Sequence, residues 1–219
     1  MTIAVIFASG KGQRLKTIIG ETPKHLLEID SENSNPLRRT LVGRLVSQFT
    51  AHAEIEKVIV ICAKPLAFEE YFSHFSELKG KMLVKKVEFS YDWRRNIRFL
   101  RKLVGDTPSI GIAGDVVIKD EGVQQALKAA KSKKVTVFFA RTVNRPLLSP
   151  RVMTTFWASG KGVPRWALLY NPESWSALPK ALLAHGRNIN IAKGIRAMNV
   201  NTPKDYYGVR DLIKQKRWR

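Results

Sequence analysis

Thr2-Ile3-Ala4-Val5-Ile6-Phe7-Ala8-Ser9-Gly10-Lys11-Gly12-Gln13-Arg14-Leu15 is the stretch that decides how the rest of this 219-residue chain is read. Thr2 to Ala8 reads as a short buried strand, apolar on consecutive positions and ended by Ser9-Gly10. A glycine loop that leaves a buried strand directly belongs at the carboxyl edge of an α/β sheet, where free backbone N–H groups point at an anion. The letters Ala8-Ser9-Gly10-Lys11-Gly12 recur at Ala158-Ser159-Gly160-Lys161-Gly162, so the chain offers two candidate phosphate loops.

Outward from that stretch, strand and helix patterns alternate. Asn35-Pro36 is a helix start with proline in its first turn, and Leu37, Leu41, Val42, Leu45, Val46 and Phe49 recur at three- and four-residue steps behind it. Then follow a strand at Lys57–Cys62, a helix at about Phe68–Leu78, a strand at Met82–Phe89 and a helix at about Trp93–Val104. A strand at Ser109–Ala113, a helix at Glu121–Ala130 and a strand at Val135–Ala140 continue the series. No Gly/Ser-rich linker or repeat interrupts it, and the reading is an α/β fold with a mostly parallel sheet covered on both faces. Beyond Arg141 the pattern loosens among Pro146, Pro150, Pro164, Pro172 and Pro179, with a strand at Trp166–Tyr170, a helix near Glu173–Ala184 and a final helix after Pro203. The expected organisation is one domain, 1–219, with a regular part at 1–140 and a looser lobe at 141–219.

The totals restrict the partners. With 44% hydrophobic residues the chain has material for a buried core. Its 38 Lys and Arg against 18 Asp and Glu give a formal charge of +20, a field that attracts polyanions and says little about fold. The single cysteine, Cys62, lies in an apolar run and reads as a small buried hydrophobe, so no intrachain disulfide forms. No signal-peptide pattern opens the chain, and no apolar run approaches the ~18 residues of a membrane span. The expectation is a soluble, cytoplasmic protein with no membrane partner.

Context separates the two loops. The first continues into Arg14, whose guanidinium forks onto phosphate oxygens, and soon meets Pro23-Lys24. The second sits between the extended segments Met153–Trp157 and Trp166–Tyr170, and a glycine-bearing connection between strands accounts for it without a ligand. One phosphate loop is therefore expected. Leu15 stands where a dinucleotide fingerprint needs its third small residue, and no Gly-Lys-Ser/Thr ending supplies a P-loop.

Four landmarks in order resemble a known family: Gly10, Gly12, Arg14 and Leu15; Pro23-Lys24-His25-Leu26-Leu27; Gly114-Asp115 after a strand; and Asn199-Val200-Asn201-Thr202-Pro203-Lys204-Asp205-Tyr206. They are similar to the landmarks of the nucleotidyltransferases that activate phosphorylated sugars, polyols and related small molecules, and they span the chain. The resemblance implies a Rossmann-like three-layer α/β/α sandwich of the nucleotide-diphospho-sugar transferase type, with 1–140 as its nucleotide-binding part and 141–219 as its acceptor-side lobe and closing motif. It also implies roles. Gly10, Gly12 and Arg14, with Lys11, would wrap the triphosphate; Ala8 and Ser9 would bring backbone to the base; Lys24 would contact phosphate; Asp115 would bind Mg²⁺. Asn96 resembles an asparagine that precedes the metal-site strand in some members. Asn201 stands where several cytidylyltransferases carry a second metal-binding aspartate. It keeps a carbonyl oxygen and removes one negative charge.

The implied reaction is attack by a phosphate monoester oxygen on the α-phosphorus of a nucleoside triphosphate, with release of pyrophosphate. Such a phosphate, with a second pKa near ~6, is largely ionised at neutral pH and needs no strong general base. The protein must supply positioning and positive charge where two polyanions meet. Arg14, Lys24 and Asp115 are the expected catalytic set, with Asp115 and Asn201 on the metal. Asp205 reads as a helix cap, Lys24 and His25 admit an alternative as ordinary solvated residues, and the histidines show no zinc-ligand spacing. Lys161, Arg165, Lys193 and Arg196 read as solvated surface.

Two alternatives stand beside this reading. Asn199-Val200-Asn201-Thr202-Pro203 also resembles the ending of molybdenum-cofactor guanylyltransferases. From another class, Arg94-Arg95, Arg98, Arg101-Lys102, Lys131, Lys133-Lys134 and Lys214–Arg219 suggest a non-enzymatic nucleic-acid-binding protein, with contacts to phosphate that are unspecific in sequence. Base and acceptor identity are left open by the sequence.

Overall fold

The computed structural model describes residues 1–10, 12–87, 93–132, 135–142, 153–160 and 189–215, with backbone alone for 93–97, 135, 137–142, 153–159 and 189–196. Its described strands form an eight-stranded sheet of order β3-β2-β1-β4-β7-β6-β8-β5. The strands are β1 (Thr2–Ala8), β2 (Ile55–Cys62), β3 (Met82–Lys86), β4 (Ser109–Ala113), β5 (Val116–Ile118), β6 (Val135–Thr142), β7 (Met153–Ser159) and β8 (Ile189–Asn199). The helices are α1 (Lys16–Ile19), α2 (Leu41–Thr50), α3 (Pro65–Ser73), α4 (Trp93–Val104), α5 (Asp120–Ala130) and α6 (Pro203–Lys214).

The expected α/β architecture is present. β3, β2, β1 and β4 are parallel throughout, the arrangement that consecutive apolar positions and helical crossovers dictate. The other half is mixed: β7 runs antiparallel to β4 and β6, β5 antiparallel to β8, and β8 parallel to β6. β7 and β8, from beyond Arg141, are strands of this same sheet.

Alternate residues of the parallel strands build the main core. Ala4, Ile6 and Ala8 of β1 align with Val58, Val60 and Cys62 of β2, and Ala4 and Ile6 also with Ile110 and Ile112 of β4. These residues pack with Leu45, Val46 and Phe49 of α2, Phe68 and Phe72 of α3, and Val123 and Leu127 of α5. Each large aliphatic or aromatic side chain so buried contributes roughly 1.5–3 kcal/mol. A second cluster joins Leu15, Leu27 and Ile29 to Val117, Met198, Val200 and the inward face of α6, where Tyr206, Val209 and Ile213 lie. Cys62 is fully buried as expected, and burial pushes its thiol up to about 11.

Several boundaries depart from the sequence reading. Asn35-Pro36 opens only a 3-10 turn, Pro36–Arg39; the helix begins at Leu41, because the Thr40 hydroxyl accepts from Gly43 N–H and caps it there. The helix expected at Phe68–Leu78 starts at Pro65 and ends at Ser73, followed by a 3-10 turn at Ser76–Leu78. The short β5 and the long β8 were not anticipated. The expected strand at Trp166–Tyr170 and helix near Glu173–Ala184 lie outside the described residues.

Candidate active site

β1, β2 and β4 end level with one another: Ala8 aligns with Cys62, and Phe7 with Ala113. The loops after them therefore leave the same sheet edge, as anticipated for the first glycine loop. Backbone hydrogen bonds fix their spacing. Gly114 N–H donates to Phe7 carbonyl at 2.8 Å, and Val200 N–H donates to Asp115 carbonyl at 2.9 Å. The glycine loop, the Gly114-Asp115 turn and the end of β8 thus meet at one point.

Lys24 occupies that point. It lies in a 3-10 turn, Lys24–Leu26, and its Nζ donates to Asp115 Oδ2 at 2.6 Å and to Asn201 Oδ1 at 2.9 Å. These partners are 91 and 177 residues away in sequence. With 6% of Lys24 and 2% of His25 accessible, the reading of either as a solvated residue is corrected. A buried ammonium requires such pairing, because leaving an ion unpaired in the interior carries a large desolvation cost.

The glycines are explained by the same approach. Gly12 has φ of 64°, and a Cβ there would stand 2.8 Å from Ile19 Cδ1 and 2.9 Å from Lys24 Cβ. A Cβ on Gly10 would lie 3.4 Å from Lys24 Cε and 3.6 Å from both Nζ and His25 Cε1. The Lys24 side chain therefore runs along the glycine loop before reaching Asp115. His25 is wedged between the two glycine turns: its Cδ2 would be 3.1 Å from a Cβ on Gly114, and its ring is tilted against Phe68. Burial, partly opposed by Asp115 and reinforced by Lys24, lowers its pKa to about 4, so the imidazole is neutral at physiological pH.

Asn199, in the closing motif, is a site residue that the sequence pattern alone assigns no role. It is buried, and its Oδ1 accepts from Asn201 Nδ2, which leaves Asn201 Oδ1 to face the lysine. Both partners impose the same orientation, since an ammonium only donates and an amide oxygen only accepts. The signal was the two-residue spacing of the asparagines beside a strand end. Asp205 is structural, as read: its carboxylate accepts from Asn201 and Thr202 N–H groups, and its own N–H donates to Thr202 Oγ1 in a capping box. Tyr206 hydroxyl donates to Glu28 carbonyl and so ties α6 to the segment that follows Lys24.

Of the other expected residues, Ala8 is buried at the end of β1, Ser9 is half-buried, and Arg14 is exposed in the turn directly after Gly12. Lys11 lies outside the described residues, and Asn96 falls in the first turn of α4 with only its backbone described. Among the described residues no three His, Cys, Asp or Glu side chains are grouped to hold a metal. The Asp115 carboxylate and Asn201 carbonyl do share one cation already, and an all-oxygen pair suits a hard ion such as Mg²⁺ that completes its shell with phosphate and water.

In the second ASGKG copy, Gly160 is held by packing. Gly160 follows β7 and donates its N–H to Ser132 carbonyl, and a Cβ on it would lie 2.3 Å from that oxygen. Lys161 and Gly162 lie outside the described residues, as do Arg165, Lys133-Lys134 and the tail from Lys216; of Lys193 and Arg196 only the β8 backbone is described. Among the described residues no helix is long and apolar enough to cross a membrane.

A comparison with curated protein sequences gives no match. Solved structures do match in fold over nearly the whole length. The inositol-1-phosphate CTP transferase of T. maritima superposes with a TM-score of 0.67 at 15% identity, over 98% of this chain and 97% of that one. A putative glucose-1-phosphate thymidylyltransferase of Bacillus anthracis gives 0.65 at 14% identity, over 97% and 95%. HddC of Yersinia pseudotuberculosis gives 0.66 at 14%, over 97% and 100%. The sequence profile described as Nucleotidyl transferase matches residues 3–147, a span that holds the glycine loop, Lys24 and Asp115. That match covers most of the chain, which therefore belongs to the nucleotidyl transferase family of enzymes.

Proposed function

We propose that the enzyme transfers a nucleoside monophosphate from a nucleoside triphosphate to a small phosphorylated acceptor, a sugar or polyol phosphate, with release of pyrophosphate and dependence on Mg²⁺. The observation that carries this reading is the meeting of the glycine loop, Lys24, Asp115 and Asn201 at one sheet edge. Gly10 and Gly12 leave the loop backbone without side chains, so its N–H groups would come close to a polyphosphate, and exposed Arg14 would fork onto the leaving pyrophosphate. Ala8 and Ser9, at the end of β1, bring backbone to the base. Lys24 supplies a mobile positive charge between the two phosphate groups. Asp115 and Asn201 would hold Mg²⁺, which when bound would offset negative charge where triphosphate and acceptor meet. No side chain is asked to remove a proton, because the acceptor phosphate arrives ionised.

The single carboxylate at the cation seat suits a reaction in which the substrates contribute most of the oxygen donors. The substrates named for two fold neighbours, inositol 1-phosphate and glucose 1-phosphate, support the acceptor class. The test is a panel of the four common nucleoside triphosphates against sugar, inositol, glycerol and choline phosphates, read as pyrophosphate release. Release that needs one triphosphate, one acceptor and Mg²⁺ together is the expected result. Failure of every pairing, with salt-resistant binding to a defined nucleic acid, would replace this reading by the nucleic-acid one.

A further inference from the structure

We infer that the Lys24 ammonium and the catalytic cation compete for one seat, so that the enzyme takes up its metal only as a nucleotide draws Lys24 away. The inference rests on the assignment of Asp115 and Asn201 as the metal-binding pair.

The geometry has three parts. First, Nζ lies within hydrogen-bond distance of both oxygens, 2.6 Å from Asp115 and 2.9 Å from Asn201. A Mg²⁺ ion would need the same oxygens at roughly 2.0–2.1 Å. A doubly charged ion cannot approach that closely beside an ammonium already in contact with them, because the repulsion in a half-buried site is only weakly screened. Second, charge at the seat balances with Lys24 in place: Asp115 offers one negative charge, Asn201 offers none, and the ammonium neutralises it. Had Asn201 been aspartate, a second carboxylate would favour a divalent ion over a lysine; the amide tilts the competition towards the lysine. Third, Lys24 has somewhere to go. Its Cε and Nζ already lie against the Gly10 turn, within 3.4 Å and 3.6 Å of where a Cβ would be. Rotation about the terminal torsions would carry the ammonium from the carboxylate towards a phosphate held at that loop.

Asn199 stabilises this arrangement. By accepting from Asn201 Nδ2 it keeps the amide oxygen turned to the seat, whichever cation is there. Nucleotide binding and metal binding are then positively coupled, and by linkage each raises the affinity for the other. The coupling has a chemical consequence. The free enzyme would then hold no bare divalent ion, because Lys24 keeps Asp115 and Asn201 occupied until a triphosphate binds.

The test uses Mn²⁺ as the probe, titrated against nucleotide-free full-length protein and followed by electron paramagnetic resonance. Wild type is expected to bind Mn²⁺ weakly. Lys24→Met, which keeps the aliphatic length, is expected to bind it at least ~10-fold more tightly, and Lys24→Met/Asp115→Asn is expected to lose that gain. Equal or weaker binding by Lys24→Met overturns the inference, as does a gain that survives Asp115→Asn. If Lys24→Met fails to fold, Lys24→Gln serves in its place, and wild type alone still decides: tight nucleotide-free binding of Mn²⁺ that Asp115→Asn abolishes overturns the inference without any lysine variant. Because no nucleotide is present, the outcome is separable from the proposed reaction. Turnover with unchanged Mn²⁺ affinity across the lysine variants sinks only the competition; absence of turnover in every pairing sinks the reaction itself.

Discussion

Replacing Gly12 with alanine separates two demands that the structure places on one residue. At φ of 64° Gly12 is in the left-handed region, where a Cβ costs about 1–2 kcal/mol. The new methyl would also stand 2.8 Å from Ile19 Cδ1 and 2.9 Å from Lys24 Cβ. Ile19 Cδ1 is the free end of a side chain and can turn, whereas Lys24 Cβ is fixed to the backbone of the 3-10 turn that carries the ammonium. Overpacking of this kind costs about 1–3 kcal/mol, for a total of about 2–5 kcal/mol. Gly105, directly after α4, provides the internal control, since it too has positive φ, 62°, but nothing lies within 4 Å of its would-be Cβ. Gly105→Ala should therefore show the backbone cost alone. Urea unfolding followed by tryptophan fluorescence should place Gly12→Ala below Gly105→Ala by about 1–3 kcal/mol. Pyrophosphate release should fall with Gly12→Ala and persist with Gly105→Ala, because only the former displaces Lys24. Equal stabilities and equal turnover for the two variants would refute the claim that the glycine loop is shaped by the lysine.

Three further outcomes follow from the same geometry. His25 has a folded pKa of about 4 against an ordinary 6.5, so the unfolded chain binds its proton first as pH falls; stability should be full above pH 6.5 and decline by about 3 kcal/mol towards pH 4, and His25→Leu should remove that part of the slope in pH-dependent unfolding. Gly160→Ala, forced against the Ser132 carbonyl, should destabilise by about 1–3 kcal/mol in the same unfolding assay while leaving the nucleotide KM unchanged, as a packing glycine requires. Asn199→Ala frees the Asn201 amide to turn and should lower kcat roughly 10–100-fold, whereas Asn199→Asp, which keeps the accepting oxygen, should recover much of it; equal rates for the two would place Asn199 outside the site.

What the sequence makes legible is governed by range. β1 announces itself because its apolar residues are consecutive and its glycine loop follows at once, and Gly114-Asp115 can be placed after a strand on local pattern. The face of α2 was legible too, but its start was not: Asn35-Pro36 and Thr40 both carry capping chemistry, and the hydroxyl bond to Gly43 decides in favour of Thr40. β5 is only Val116–Ile118, too short to separate from the turn before it. β8 alternates in part from Ile189, but Gly194 and the basic Lys193 and Arg196 blur the pattern, and it is its pairing with β6 and β5 that fixes it. Within the site, Asp115 and Asn201 stood out through their motifs. The burial of Lys24 did not, because it depends on partners 91 and 177 residues away that no local window contains. His25 was hidden for the same reason: a lone histidine reads as surface until Gly10, Gly114 and Phe68 close around it.

The central claim is that the Lys24–Asp115–Asn201 cluster conducts nucleotidyl transfer, and the fate of a labelled α-phosphate tests it most directly. With α-³²P-labelled triphosphates, a phosphorylated sugar or polyol and Mg²⁺, wild type should move the label onto the acceptor in step with pyrophosphate, and Asp115→Asn should lose that transfer while keeping its fold by circular dichroism. Label that never leaves the triphosphate with any acceptor, or that moves equally well in Asp115→Asn, would contradict the account.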